Sequence, residues 1–339
     1  MIITAIPGET STLAPVPTLT PTASPNPMYP YTIDGMRQRD YPGGTIQIVQ
    51  TLAVYDRHSR YLFTYPSDGL TITGILQIPT GQGPFPVIVM NHGFIKRGEY
   101  VSGDGTDRAA GYLVQQGYIT IAPDYRSWGA SDVGSSFFHT GLAADVLNLV
   151  HSLSSLPQAD VTRVGMWGHS MGGGITTKVL EIDAGRIIRA AVLYAPNSAD
   201  DADLIARWGY GCIGDISTGE MLETCNSADI LPLTLPAATI EAYKEAAASS
   251  DLMQEIAPYH HLDLIAAPIQ LHIGEADGQY IGATPPEWSY KLRDALLAAN
   301  RSVDFYSYPG QGHSFTDPDW TTFMQRATAF FDTHVKGSP

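Results

Sequence analysis

The run Val164-Gly165-Met166-Trp167-Gly168-His169-Ser170-Met171-Gly172-Gly173-Gly174 constrains this chain more than any other. It reads as a strand over Val161–Trp167, a turn too tight for bulky side chains, and a helix opening at Ser170. Gly168, Gly172 and Gly173 remove the Cβ atoms that would collide where strand and helix meet at a sharp angle. The expected result is a serine held on a strained elbow, beside the backbone N–H groups of a helix N-terminus. An alcohol is a poor nucleophile at neutral pH, so such a serine is chemically useful only with a base nearby. A single pentapeptide of this kind also arises by chance. Its surroundings must carry the argument.

Those surroundings alternate. Short apolar runs at Pro86–Asn91, Tyr118–Ala122, Arg189–Tyr194, Pro268–Ile273 and Val303–Tyr308 read as strands buried on both faces. Helical patterns separate them, over about 107–116, 141–153, 170–182 and 320–334. This order predicts an α/β fold, a mostly parallel sheet flanked by helices. Ahead of it, Thr45–Thr64 and Leu70–Ile78 alternate as antiparallel strands that turn at Pro66-Ser67-Asp68-Gly69. The alternation breaks once, between Ala195 and Pro268. Stretches that long without a strand are usually functional in compact domains, so residues 197–262 are expected to form a helical cap over the carboxyl ends of the strands. The core is then 45–196 together with 263–339.

Residues 1–44 read as a Thr/Pro-rich N-terminal linker, most clearly over residues 7–30, where no apolar periodicity offsets the entropy of ordering. Such a stretch ahead of a compact enzyme is consistent with an envelope tether and an upstream leader already removed. That gives an extracellular or envelope-attached protein, with a cytoplasmic one as the alternative. The chain has two cysteines, Cys212 and Cys225, both in the expected cap and close enough in sequence to close a small disulfide loop; two free thiols are the other reading. A net charge of −15 argues against nucleic acid and anionic membrane surfaces as partners. No apolar run reaches the length of a membrane-spanning helix.

Three features supply chemistry to Ser170. His313, in Gly310-Gln311-Gly312-His313-Ser314-Phe315, follows the last strand and is placed to act as general base. Asp277, in Gly274-Glu275-Ala276-Asp277-Gly278, follows the preceding strand and would orient the imidazole; Glu275 and Asp304 compete for that role. Loops after the strands of a parallel sheet converge on one edge, so the three side chains can meet. The N–H groups of Phe94 and Met171 would stabilise an oxyanion, with Gly93 allowing close approach. His92, Asp124 and Arg126 read as structural. His260, His261 and Asp263 lack a further ligand at suitable spacing, so no metal or other cofactor is expected.

The order Ser170, Asp277, His313, the G-H-S-M-G elbow and the His92-Gly93-Phe94 loop resemble the α/β-hydrolase fold. With Ala122-Pro123-Asp124-Tyr125-Arg126-Ser127-Trp128-Gly129, they resemble the catalytic domains of the prolyl oligopeptidase-like group, including dipeptidyl aminopeptidases and acylaminoacyl peptidases. They resemble equally the carboxylesterases and feruloyl-type esterases built on that domain. The resemblance spans roughly residues 60–335. It implies a Ser170–Asp277–His313 triad and an acyl-enzyme intermediate. Too few residues precede the strands for the propeller of prolyl oligopeptidases, which favours a small-molecule carboxylic ester over a peptide as substrate.

An exopeptidase or amidase is the alternative, and would need a carboxylate for the substrate amine, from Asp200, Asp201, Asp203 or Glu220. A silent hydrolase fold used for binding is the remaining one. Trp128, Phe137, Phe138, Trp208, Tyr210 and Trp288 are candidate pocket residues, because they fall in apparent loops or cap segments. The oligomeric state is not legible in the sequence.

Overall fold

A computed structural model describes residues 28–208, 245 and 248–337. Nine strands form one sheet in the order β1-β2-β3-β5-β4-β6-β7-β8-β9. Strands β1 (Gln47–Val54), β2 (His58–Ser67) and β3 (Leu70–Pro79) are antiparallel, and β3 runs antiparallel to β5 (Ile119–Pro123). From β5 onward, β4 (Phe85–Asn91), β6 (Ala159–His169), β7 (Ile188–Tyr194), β8 (Ile269–Gly274) and β9 (Val303–Tyr308) are parallel. The expected turn at Pro66–Gly69 tightens to two residues. Ser67 pairs with Leu70, and Asp68 and Gly69 both take positive φ, +54° and +79°, which matches the twist of the flanking strands.

Strands β4, β5, β7 and β8 are buried on both faces, whereas β9, expected to be buried likewise, lies at the sheet edge and buries only Tyr308. In β4, Val87 and Val89 enter one core, and Ile88 and Met90 the other. β7 divides the same way, Ala191 and Leu193 against Ala190, Val192 and Tyr194. Helices α3 (Thr140–Ser152), α4 (Met171–Ile182) and α7 (Pro286–Ala298) cover the first face. Helices α2 (Asp107–Gln115) and α8 (Asp319–Phe331) cover the second.

The chain passes from β4 through α2 to β5, then returns across β4 to β6. The strand order therefore reverses between β4 and β6. A crevice opens at the carboxyl end of a parallel sheet at such a switch point, and ligands bind there. The elbow serine follows β6, and the His92-Gly93-Phe94 loop follows β4.

One expectation needs correction. Residues 28–44 are not linker. Met28, Ile33, Met36 and Tyr41 are buried, and α1 (Ile33–Gln38) packs against α4 with Thr32 as its N-cap. Apolar residues spaced through this short stretch close the underside of the core, and its prolines hid that in the sequence. The remainder of the proposed linker, residues 1–27, lies outside the described residues.

Of the proposed cap, α5 (Asp201–Trp208) and α6 (Ser250–Ile256) are described. Leu204, Met253 and Ile256 from this region pack with Met28, Phe137 and Phe138 in a third apolar cluster. Tyr210, Cys212, Cys225 and Glu220 lie outside the described residues. No helix among those described is long and apolar enough to cross a membrane.

Candidate active site

Ser170 caps α4 with φ +55° and ψ −123°, a conformation that L-residues avoid. Tight packing imposes it. A Cβ on Gly168 would stand 2.3 Å from the Gly172 carbonyl oxygen, and one on Gly172 would stand 2.1 Å from the Asn91 carbonyl oxygen. The elbow is thereby pressed against the end of β4. Ser170 N–H donates to the Tyr194 carbonyl at 3.0 Å, and its own carbonyl accepts from Gly173 and Asn197. With its backbone fixed on both sides, Ser170 stays half-buried rather than sealed into the core.

The β4 loop reaches the same point. A Cβ on Gly93 would lie 3.0 Å from Ser170 Cβ and 3.6 Å from its Oγ, so bare backbone faces the hydroxyl. His92 holds this loop in shape. Its ring stacks between Tyr100 and Tyr125, and Nδ1–H donates to the Gly93 carbonyl at 2.7 Å. Burial pushes the His92 imidazole towards its neutral form. Met171 is the first residue of α4, so its N–H has no intrahelical acceptor.

His313 and Asp277 meet as expected, with Nδ1 to Oδ2 at 2.8 Å. The Asp277 side chain is almost fully buried, whereas His313 retains some exposure. The remaining carboxylate oxygen, Oδ1, accepts from Gly278 N–H at 2.7 Å. Backbone bonds tie the two loops together: Ala276 N–H donates to the Gln311 carbonyl, and Glu275 N–H to that of Tyr308. The competing carboxylates are elsewhere. Glu275 accepts from Ser307, and Asp304 pairs with Gln270 inside the sheet.

Sequence reasoning missed two contributors. His169 lies partly buried beside Ser170, its Nε2–H donating to the His313 carbonyl at 2.9 Å while its ring lies 4.7 Å from that of His313. Burial, reinforced by the neighbouring imidazole, pushes it down to about 3, so it remains neutral and serves as a donor. Thr284 brings its hydroxyl to Asp277 Oδ2 at 2.8 Å. The position of His169 next to the elbow serine was the one sequence signal that could have marked it. Thr284, in a loop without a motif, had no such signal.

The aromatic pocket residues fare differently. Trp128, Phe137 and Phe138 are almost fully buried and belong to the core, so they do not line an open pocket. Trp128 backs the β4 loop instead: its ring meets Phe94 edge-on at 6.3 Å, and Nε1–H donates to the Ile95 carbonyl. Trp288 sits in α7 rather than in a loop, forming a partly exposed T-shaped pair with Trp208 at 5.2 Å. Tyr210 lies outside the described residues.

Asp124 and Arg126 are structural, as expected. Asp124 accepts from Thr73, Tyr100 and Ser102, and Arg126 bridges Asp145 and Asp68. No group of three or more acidic, histidine or cysteine side chains is placed to hold a metal among the described residues.

Residues 82–314 match the family described as Serine aminopeptidase, S33, and the chain belongs to that family. It is a serine hydrolase with the α/β-hydrolase fold. Among curated proteins it is similar to Esterase FrsA of Shigella boydii, 27% identical over 136 residues, which are 39% of this chain and 30% of that protein. The match thus spans less than a third of that relative.

Among solved structures it resembles acetyl xylan esterase 1 from Thermoanaerobacterium sp., with TM-score 0.60 and 17% identity, over 89% of this chain and 92% of the other. It also resembles a putative dipeptidyl aminopeptidase IV from Bacteroides ovatus, with TM-score 0.59 and 20% identity, over 83% of this chain and 36% of the other. At such identities these structures establish the fold.

Proposed function

We propose that this protein hydrolyses carboxylic esters of small molecules through an acyl-enzyme on Ser170. The observation that carries the reading is the Asp277–His313 hydrogen bond at 2.8 Å, formed on the sheet edge where strained Ser170 faces bare Gly93 backbone. With Nδ1–H held by Asp277, His313 keeps its lone pair on Nε2, where it can take the hydroxyl proton. Among the described residues, the hydrogen bonds of His313 run to Asp277, Thr284 and His169 and not to Ser170 Oγ. Such contacts commonly tighten only once substrate is bound.

Ser170 Oγ then attacks the acyl carbon. Negative charge gathers on the carbonyl oxygen, where the N–H groups of Phe94 and Met171 would receive it. His313 returns the proton to the leaving alkoxide and the alcohol departs. Water, deprotonated by the same imidazole, releases the acid. This chemistry needs no cofactor.

Among the described residues, the fate of the candidate carboxylates favours the ester reading over an aminopeptidase; Glu220, the fourth candidate, lies outside them. Binding a substrate ammonium requires a free carboxylate. Asp200 and Asp203 both pair with Lys291, at 2.7 and 2.9 Å, and Asp201 is buried beside Lys178. The esterase names among the similar proteins support the same choice, although the family's description favours the other. We further infer that residues 197–262 act as a lid whose removal would alter acyl-size preference more than intrinsic chemistry. The decisive test is a turnover panel of p-nitrophenyl esters of increasing chain length, methyl ferulate and aminoacyl p-nitroanilides. The expected outcome is ester turnover that Ser170→Ala abolishes, with anilides untouched. Efficient anilide cleavage would instead place the protein with the peptidases.

A further inference from the structure

Thr284 lies seven residues after Asp277, buried at the centre of the site, and its hydroxyl touches three groups at once. Oγ1 is 2.8 Å from Asp277 Oδ2, 3.2 Å from His313 Nδ1 and 3.2 Å from the Ala195 carbonyl. A hydroxyl has one proton to give. The shortest contact is also the one to an ionised acceptor, where a hydrogen bond is strongest, so the proton points at Asp277 Oδ2. That oxygen therefore receives two donors, His313 Nδ1–H and Thr284 O–H, while Oδ1 receives Gly278 N–H.

We propose that Thr284 is a positioning residue of the esterase machinery, locking the Asp277 carboxylate in the rotamer that receives His313 and drawing off part of its charge. The geometry has a second layer. Arg207 of α5 donates to the carbonyls of Gly278, Tyr280, Ile281 and Ala283, which form the backbone leading from Asp277 to Thr284. The loop between these two side chains is thus pinned from outside while Thr284 pins the carboxylate from inside.

The consequence has a sign. Removing the Thr284 donor concentrates the Asp277 charge on His313, which holds the protonated imidazole more firmly. Among the described residues the other titratable group packed against this ring is His169, neutral and from the end of β6. It does not change charge when Thr284 is altered, so the effect is read at His313. Thr284→Val keeps the shape of the side chain and deletes the hydroxyl; Thr284→Ser keeps the hydroxyl.

The proposal rests on the esterase reading, so Ser170→Ala is measured alongside. On p-nitrophenyl acetate, Thr284→Val should lose about tenfold in kcat with KM little changed. The acid limb of its kcat/KM profile should move to higher pH by about half a unit or more. Thr284→Ser should restore both, and the thermal midpoint of each variant shows that it is folded. A folded Thr284→Val enzyme with the parent's kcat and acid limb overturns the proposal, as does a limb that moves to lower pH. If Ser170→Ala retains turnover, the esterase reading itself fails; if only the Thr284 results fail, that reading stands.

Discussion

Gly172→Ala adds one methyl group where the structure leaves no room for it. Its Cβ would stand 2.1 Å from the Asn91 carbonyl oxygen and 2.6 Å from that of His92. Both are backbone atoms, and no side-chain rotation relieves them. Reaching ordinary contact requires the end of β4 and the first turn of α4 to separate by about 1 Å. Those segments lead to Phe94 and Met171, so the separation would widen the proposed oxyanion site directly. Misplacement on that scale costs about 10²-fold in rate, comparable to removing one oxyanion donor outright. Overpacking should also destabilise the fold by about 1–3 kcal/mol.

The assay pairs steady-state turnover of p-nitrophenyl acetate with the urea unfolding midpoint. Gly111→Ala, in α2, is the matched control. Nothing lies within 4 Å of its Cβ, so the same substitution should leave activity intact and add about 0.5–1 kcal/mol of stability. A Gly172→Ala enzyme within threefold of the parent in kcat/KM, at an unchanged urea midpoint, would refute the claim that bare backbone at this contact sets the site.

Two further outcomes follow from residues outside the elbow. Glu181 is fully buried with both carboxylate oxygens unpartnered, and burial holds its carboxyl well above the ordinary range; Asp201 nearby is pushed up to about 6. For an acid raised in the folded state, stability is full below the unfolded value, near 4, and declines as pH rises through the folded one. Glu181→Leu should therefore raise the thermal midpoint by several degrees at pH 8 and by much less at pH 4, and an equal change at both would contradict it. Arg207→Met removes four bonds to the loop that follows Asp277, and should lower kcat by about three- to tenfold at constant thermal midpoint. Activity equal to the parent's would show that the loop holds itself.

The central strands were legible because burial on both faces leaves a plain trace. The runs at 86–91, 118–122, 189–194, 268–273 and 303–308 each lie within one or two residues of the strands found. The elbow was legible for a related reason, since only glycine fits where α4 meets β4. Helix α7 left no such trace. It buries Ser289, Leu292 and Leu296 on one side while presenting charged residues elsewhere, and Pro285 and Pro286 at its start read as loop. Trp288 was assigned to a loop for that reason. In the same way, the prolines before residue 30 masked the buried Met28, Ile33 and Met36, whose partners on α4 and α6 are distant in sequence.

The same asymmetry runs through the site. Asp277 and His313 were readable because glycine-flanked loops after consecutive parallel strands are rare places for a carboxylate and an imidazole to occur together. What orients them was not readable, because it depends on where a chain returns in space. Thr284 meets Asp277 only because the loop between them folds back under Arg207, a residue of a different element. The aromatic residues show the converse. Trp128, Phe137 and Phe138 follow strand or turn residues that look like an entrance, yet they are sealed beneath it, and Trp128 braces Phe94 from behind. Reacting groups are therefore marked by the local backbone that exposes them, whereas the residues that set their geometry are chosen by packing. Thr284→Val tests that distinction directly, since a side chain without a motif should change the pH dependence of one that has it.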